Sequence, residues 1–185
     1  MRAIFLTTAA VALMGMAPTG SAVVSVGGGP AKSCYNAATA RDASEQAIRD
    51  CNRALNQEVL PFTDLVASYV NRGVLRLVQA DYRKAEADFN QAMSLHPTQA
   101  EAWLNKGIAR YQQGDTKSAI AHFDRAIELR TRYTALAYFG RAPAHEDSGN
   151  IKGAYADLQK ASQLNPEWQA PRQELTRFQV RKPAA

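Results

Sequence analysis

The stretch AEAWLNKGIARYQQGDTKSAIAHFDRAIEL, residues 100–129, decides the fold class of this 185-residue chain. Its apolar residues recur at intervals of three and four, which is typical of amphipathic helices. The Gly114-Asp115 pair interrupts the pattern near its middle, so the stretch predicts two helices joined by a tight polar turn. It contains almost no residue suited to catalysis.

The same arrangement of small and large residues occurs three times in the chain. Each copy has one aromatic residue and one small residue in its first helix, then a small, a large and a small residue in its second helix. The copies are offset by 34 and 35 positions: Tyr69, Gly73, Ala85, Phe89 and Ala92; Trp103, Gly107, Ala119, Phe123 and Ala126; Tyr138, Ala142, Ala154, Leu158 and Ala161. Self-similarity at this period indicates an array of helical hairpins. The small residues let two helices approach closely, and the large residues lie between those contacts.

Polar turns separate the two helices of each copy. Their sequences are QADYRK, QQGDTK and DSGNIK, and each places an Asp or Asn just ahead of the second helix, where it is expected to act as the N-cap. Pro97 and Pro166 follow the second helices of the first and third copies. They are expected to end these helices, because proline cannot continue one.

This pattern resembles the tetratricopeptide repeat, a helix–turn–helix unit of 34 residues. The resemblance covers about Val66 to Trp168 and is closest in the second unit, which departs only at Thr131, where the family usually has proline. The third unit has one residue inserted before it and contains Pro143, which is expected to kink its first helix. The resemblance implies an all-α solenoid in which the first helices of successive units line a concave groove.

The first 22 residues are predicted to be a cleavable signal peptide. The apolar run AIFLTTAAVALMGM follows Arg2, and Gly20 and Ala22 fit a cleavage site after Ala22. A membrane anchor is the alternative, but it needs roughly 20 apolar residues and usually stronger flanking charge. No later segment is long and apolar enough to span a bilayer.

The charge of the remaining chain is mild. Without Arg2 it has 21 basic and 17 acidic side chains, a net charge of +4. Basic residues alternate with acidic ones along the helices, whereas a nucleic-acid-binding protein has a clustered basic stripe. Nucleic acid is therefore not a predicted partner.

The predicted organisation is an array with distinct ends. The segments are a signal peptide (1–22), a flexible linker (23–31), a degenerate leading hairpin (32–65), three repeat units (66–99, 100–134 and 135–168), and a capping helix with a tail (169–185). The linker prediction depends on three consecutive glycines, which disfavour regular structure. The capping helix starts near Pro171 and has Leu175 and Phe178 on one face.

The two cysteines, Cys34 and Cys51, both lie in the leading hairpin. An even number of cysteines in an exported chain predicts a disulfide, and two separate buried thiols are the alternative. A metal site needs more ligands than this pair supplies, and His96, His122 and His145 show no companion spacing. No metal or cofactor is predicted.

The repeat register places ten residues in the predicted groove. Asn71 and Asn105 occupy the same position in successive units, and an asparagine side chain can both donate to and accept from a ligand backbone. The others are apolar: Val70, Val74, Leu77, Val78, Leu104, Ile108, Tyr111 and Phe139, with Pro143 next to them. An exposed apolar strip usually marks an interaction site. The alternative is that the protein's own closing helix or linker buries it.

These features predict a periplasmic or secreted scaffold whose groove binds a peptide or helix of another protein. A structural subunit and a non-catalytic accessory or regulator of a cell-envelope complex or enzyme are the alternatives. Replacing Asn71 and Asn105 together is expected to weaken partner binding with little loss of stability.

Two other functions are not favoured. Some family members, the heat-shock co-chaperones, hold a terminal carboxylate with cationic side chains, but the corresponding positions here hold Glu101, Leu136 and Gly140. An enzyme is not predicted either, because the sequence has no nucleophile elbow, phosphate loop or metal-ligand spacing. The adjacent Glu146 and Asp147 point apart on one helix.

Overall fold

The computed structural model of the protein describes residues 22–23, 29–57 and 59–178. Those residues form nine helices and no strand: α1 (Gly29–Ala40), α2 (Glu45–Gln57), α3 (Phe62–Val78), α4 (Tyr82–Leu95), α5 (Ala100–Gln112), α6 (Thr116–Glu128), α7 (Thr134–Asp147), α8 (Ile151–Leu164) and α9 (Gln169–Leu175). The predicted signal peptide lies outside the described residues except for Ala22, and so does most of the predicted tail.

The helices pack as four hairpins in chain order, α1–α2, α3–α4, α5–α6 and α7–α8. The second helix of each hairpin also contacts the first helix of the next one. The first helix α5 contacts both α3 and α7, so these three helices form one layer, while α9 packs on α8 and closes the array. The predicted all-α solenoid with a leading hairpin and a capping helix is confirmed.

Two helices begin earlier than the repeat register indicated. Helix α3 starts at Phe62, ahead of Val66, and α1 starts at Gly29, inside the segment predicted to be a linker. Pro30 suits the first turn of α1. Backbone N–H groups in this turn have no acceptor within the helix, so the N–H that proline lacks costs no hydrogen bond. Ala31 is fully buried. The last three residues of the predicted linker therefore belong to the leading hairpin.

The structure accommodates two departures from the repeat, Pro143 in the third unit and Thr131 in the second. Helix α7 continues through Pro143 and ends at Asp147. Thr131 is buried at the position where the family usually has proline, and its Oγ1 accepts a hydrogen bond from the Tyr133 backbone N–H at 3.2 Å. Tyr133 is the N-cap of α7, so Thr131 supports the start of this helix.

The glycines of the pattern allow close contact within the first and second repeat units. A Cβ atom added at Gly73 would lie 2.4 Å from a ring carbon of Phe89, and one at Gly107 would lie 2.9 Å from ring carbons of Phe123. Both phenylalanines are fully buried. The small residue on the first helix is therefore required by the large residue on the second helix.

The polar turns cap the second helices as predicted. Asp81, Asp115 and Asn150 are the N-caps of α4, α6 and α8, and the side chain of each accepts a hydrogen bond from the backbone N–H three residues later. The donor–acceptor distances are 3.2, 3.2 and 3.0 Å. Such a bond satisfies one of the N–H groups that the first turn of a helix leaves unpaired.

A disulfide between Cys34 and Cys51 joins α1 to α2, as predicted from the cysteine count. Both residues are fully buried. Within residues 22–23, 29–57 and 59–178, no helix has the length and apolar character needed to cross a bilayer.

The first and third units contain the same buried ion pair between their two helices. Arg72 lies 2.7 Å from Asp88, and Arg141 lies 2.6 Å from Asp157. The second unit has Lys106 and His122 at these positions. Burial, together with the positive charges of Lys106 and Arg110, lowers the pKa of His122 to about 4. The second unit therefore holds a neutral imidazole where its neighbours hold a carboxylate.

We expect His122 to make stability depend on pH. An unfolded histidine has a pKa near 6.5, so the unfolded chain binds a proton that the folded chain excludes. The stability associated with neutral His122 is therefore fully present above about pH 6.5 and is lost as the pH falls toward 4. The stability advantage of the unaltered chain over His122→Gln should shrink by about 1–2 kcal/mol between pH 7.5 and 4.5, allowing for partial exposure of the ring.

Urea denaturation at a series of pH values measures this difference. His96→Gln, at the end of α4, is the control for the loss of one histidine. A pH-independent difference between the unaltered chain and His122→Gln would contradict the prediction.

Candidate functional site

The layer of first helices carries every residue that was predicted to line the groove. Helix α3 holds Val70, Asn71, Val74, Leu77 and Val78; α5 holds Leu104, Asn105, Ile108 and Tyr111; α7 holds Phe139. Val70, Val74 and Leu77 belong to one core cluster, and Leu104 and Phe139 belong to a second. Ile108 packs against both clusters. The predicted residues of the three units therefore lie on three neighbouring helices of this layer.

Most of these side chains are less exposed than the register indicated. Val70 and Leu104 are fully buried, and Val74 is only 6% exposed. Val78, near the end of α3, is 39% exposed, and Ile108 is half-buried. The expectation of an exposed apolar strip is wrong for the buried members, because residues of the first-helix layer also fill the space between neighbouring hairpins.

Asn71 binds the backbone of a residue far away in the chain. The Val23 N–H donates to Asn71 Oδ1 at 2.8 Å, and Asn71 Nδ2 donates to the Val23 carbonyl oxygen at 2.9 Å. One side-chain amide thus pairs with both polar backbone groups of a single residue, as an adjacent strand would. Asn71 is fully buried, so this pairing satisfies its amide away from water.

The residue before Val23 is held by two further side chains. The Ala22 carbonyl oxygen accepts from Arg132 Nη2 at 2.9 Å and from the Tyr133 hydroxyl at 3.0 Å. Ala22 is only 2% exposed and belongs to the same apolar cluster as Val70 and Val74. Residues 22–23 therefore lie against the first-helix layer, between α3 and the start of α7.

The charge of Arg132 is partly balanced within the site. Its Nε lies 3.8 Å from Glu101 Oε1, and its guanidinium lies over the Tyr133 ring, 5.1 Å from the ring centroid. Glu101 is itself held by Gln99 and Thr131. Burial raises the pKa of Tyr133, so its hydroxyl remains a donor. Because Glu101 already faces the arginine, the arrangement suits a neutral carbonyl better than a free carboxylate.

Reasoning from sequence identified Asn71 but missed Ala22, Val23, Arg132 and Tyr133. The first two lay in the predicted signal peptide and linker, and a short apolar pair has no motif. Arg132 and Tyr133 follow Thr131, where the chain departs from the family pattern and carries one inserted residue. That departure was the available signal, since an irregular connection at a repeat boundary can present side chains that the regular register does not.

The acidic residues of α7 and the histidines do not assemble a reaction site. Glu146 accepts hydrogen bonds from Arg177, beyond α9, and His145 Nε2 lies 3.8 Å from Asp157. In the part of the chain that the structure describes, no group of three His, Cys, Asp or Glu side chains is placed to hold a metal ion. These side chains link helices to one another.

Hairpins stacked in register, with backbone-binding side chains on the first-helix layer, define a helical-repeat fold, a class that is typically non-catalytic and suggests protein interaction. The family model described as tetratricopeptide repeat matches residues 70–133. Residues 70–133 therefore match tetratricopeptide repeats, and the resemblance indicated by the sequence pattern is confirmed.

A solved structure gives the same fold. The crystal structure of MamA matches with a TM-score of 0.62 and 22% sequence identity, over 77% of this chain and 80% of that chain. At this identity the likeness shows the fold alone. No curated protein matches the chain.

Proposed function

We propose that this protein is an exported scaffold whose groove binds an extended segment of a partner protein. The observation that carries the proposal is the two-way hydrogen bonding between Asn71 and Val23, because it is a contact that an extended backbone of any sequence can make. The buried disulfide supports a location in the periplasm or outside the cell, where disulfides form and persist.

The surroundings of Asn71 favour a peptide ligand over a small polar molecule. Val70 and Val74 flank the asparagine and supply apolar contacts, and Leu104 lies one unit further along. Peptide grooves of this kind obtain affinity from main-chain hydrogen bonds and specificity from neighbouring side-chain pockets. Asn105, at the equivalent position in α5, is the proposed contact for a second backbone position of the same segment.

A structural subunit is the second candidate, and a specific observation favours it. The groove already holds residues 22–23, and the outer helix α8 exposes Ile151 at 50% and Leu164 at 46%. A subunit that assembled through its outer helices would form oligomers when purified alone, whereas a scaffold that uses its groove would be a monomer. Sedimentation of the purified chain distinguishes the two candidates.

The test of the scaffold function is loss of partner binding when Asn71 is replaced. In Asn71→Ala one ligand residue loses both backbone hydrogen bonds, and we expect the dissociation constant of the partner to rise about tenfold or more. A photo-crosslinker at the half-buried Ile108 captures the partner in cells, and calorimetry with the purified partner gives the dissociation constant.

Asn56→Ala, which changes an exposed asparagine of α2, is the matched control and should leave binding unchanged. Comparing circular dichroism and unfolding of the two variants separates loss of binding from loss of folding. A partner that crosslinks and binds equally well to Asn71→Ala would rule out the groove as its site.

A further inference from the structure

Residues 22–23 are anchored more completely than a chance contact would require. Three side chains from two separate parts of the array make four hydrogen bonds to this pair, with distances from 2.8 to 3.0 Å. Asn71 comes from α3, while Arg132 and Tyr133 come from the connection that starts the third unit. All four bonds go to backbone atoms, so the site binds the main chain of an extended segment.

The side chains of this pair add a size requirement. Ala22 is 2% exposed and lies in the apolar cluster below Asn71, whereas Val23 is only partly buried. A larger side chain at position 22 would have to displace residues of a packed cluster. In an extended segment bound here, the residue at the place of Ala22 must therefore be small. The next residue, at the place of Val23, can be branched.

We propose that residues 22–23 are an internal ligand that occupies the partner's binding site, and that the partner supplies an extended, uncharged segment with a small residue followed by a β-branched one. This inference rests on the proposed function of the groove, and it requires an exported chain that keeps Ala22, so it replaces the predicted cleavage after Ala22 with retention of this residue. The intact mass of the purified exported chain checks this requirement. The small residue places its carbonyl at Arg132 and Tyr133, and the next residue pairs with Asn71. A terminal carboxylate is disfavoured at this place because Glu101 already faces Arg132.

The covalent connection makes the internal ligand an effective competitor. Only five residues separate Val23 from Gly29, the first residue of α1. A tether this short gives an effective concentration of about a millimolar. A partner must displace the internal pair, so weakening that pair should strengthen binding of an external segment without any change in the groove itself.

The test uses the full chain and two variants of the internal ligand. Val23→Pro removes the N–H that donates to Asn71 Oδ1, and Ala22→Leu is too large for the buried position. The probe is the peptide TGSAVVSV, residues 19–26, capped at both ends and labelled for fluorescence anisotropy. We expect each variant to bind the probe about tenfold more tightly than the unaltered chain does. Adding Asn71→Ala to either variant should abolish this gain.

A second probe tests the size requirement. The same peptide with leucine at the position of Ala22 should bind the Val23→Pro chain about tenfold more weakly than the alanine peptide does. Equal affinities for the two peptides would overturn the small-residue requirement. Equal affinities of the unaltered, Val23→Pro and Ala22→Leu chains for the alanine peptide would overturn the competition.

The two proposals fail in distinguishable ways. If Asn71→Ala loses the crosslinked partner but neither variant gains affinity for the probe, the groove is the partner's site and the internal-ligand inference is overturned. If Asn71→Ala leaves partner binding intact, the proposed function itself fails. Circular dichroism of every variant shows that the comparison is made between folded chains.

Discussion

Replacing Phe123 with alanine should lower the free energy of unfolding by about 3–5 kcal/mol. Phe123 is fully buried on α6, and its ring lies against the first helices of two successive units. A Cβ atom added at Gly107 or at Gly140 would lie 2.9 Å from its ring carbons. Because both glycines leave space that only this ring fills, the surrounding backbone cannot close the cavity without shifting two hairpins.

Urea denaturation followed by circular dichroism measures this loss, and Phe62→Ala is the matched control. Phe62 is 52% exposed at the start of α3, so its truncation should cost less than about 1 kcal/mol. In a repeat array, stability is approximately a sum of unit and interface contributions, and Phe123 contributes to both. A loss for Phe123→Ala no larger than that for Phe62→Ala would mean that the second and third units do not share a core.

The same glycine–phenylalanine contacts explain why the fold could be predicted from the sequence. A large residue on one helix requires a small one on its partner. This pairing recurs at a fixed spacing, with glycine and phenylalanine in the first two units and with Ala142 and Leu158 in the third. The N-caps Asp81, Asp115 and Asn150 are equally local, since each side chain binds a backbone N–H three residues later. Local chemistry repeated three times leaves a pattern that can be read without coordinates.

The occupancy of the groove could not be predicted in the same way. The contact between Val23 and Asn71 spans 48 positions, and the one between Ala22 and Arg132 spans 110. These contacts occur once and use backbone atoms of an apolar pair, so they leave no periodic signal. The exposure of the groove was also mispredicted. The repeat register predicts the helix face on which Val70 lies, but it does not predict which residues pack over that face.

The pKa of His122 is a third property that could not be predicted from the sequence. The repeat register aligns His122 with Asp88 and Asp157. Only the structure shows that those aspartates are buried against Arg72 and Arg141. An exposed histidine at the same position of the sequence would have an ordinary pKa. Burial and neighbouring charge, rather than residue type, determine how the second unit responds to acid.

Removing the disulfide should destabilise the protein by about 3 kcal/mol, on the chain-entropy model for a loop of this length. Cys34 and Cys51 are 17 positions apart and connect the two helices of the leading hairpin. This hairpin is at the end of the described array and packs against α3 on one side only. Since it lacks a second neighbouring hairpin, the cross-link replaces stabilisation that an internal unit receives from packing.

The test compares the stability of the unaltered chain with that of the double variant Cys34→Ala/Cys51→Ala, each measured with and without reductant. Reductant should lower the stability of the unaltered chain to nearly that of the double variant, and it should leave the double variant unchanged. Amide exchange should rise first in residues 29–57, because terminal units open more readily than internal ones. Loss of protection spread evenly over all units would instead show that the hairpin and the repeats unfold as one cooperative block, in which the disulfide stabilises the whole array rather than its end.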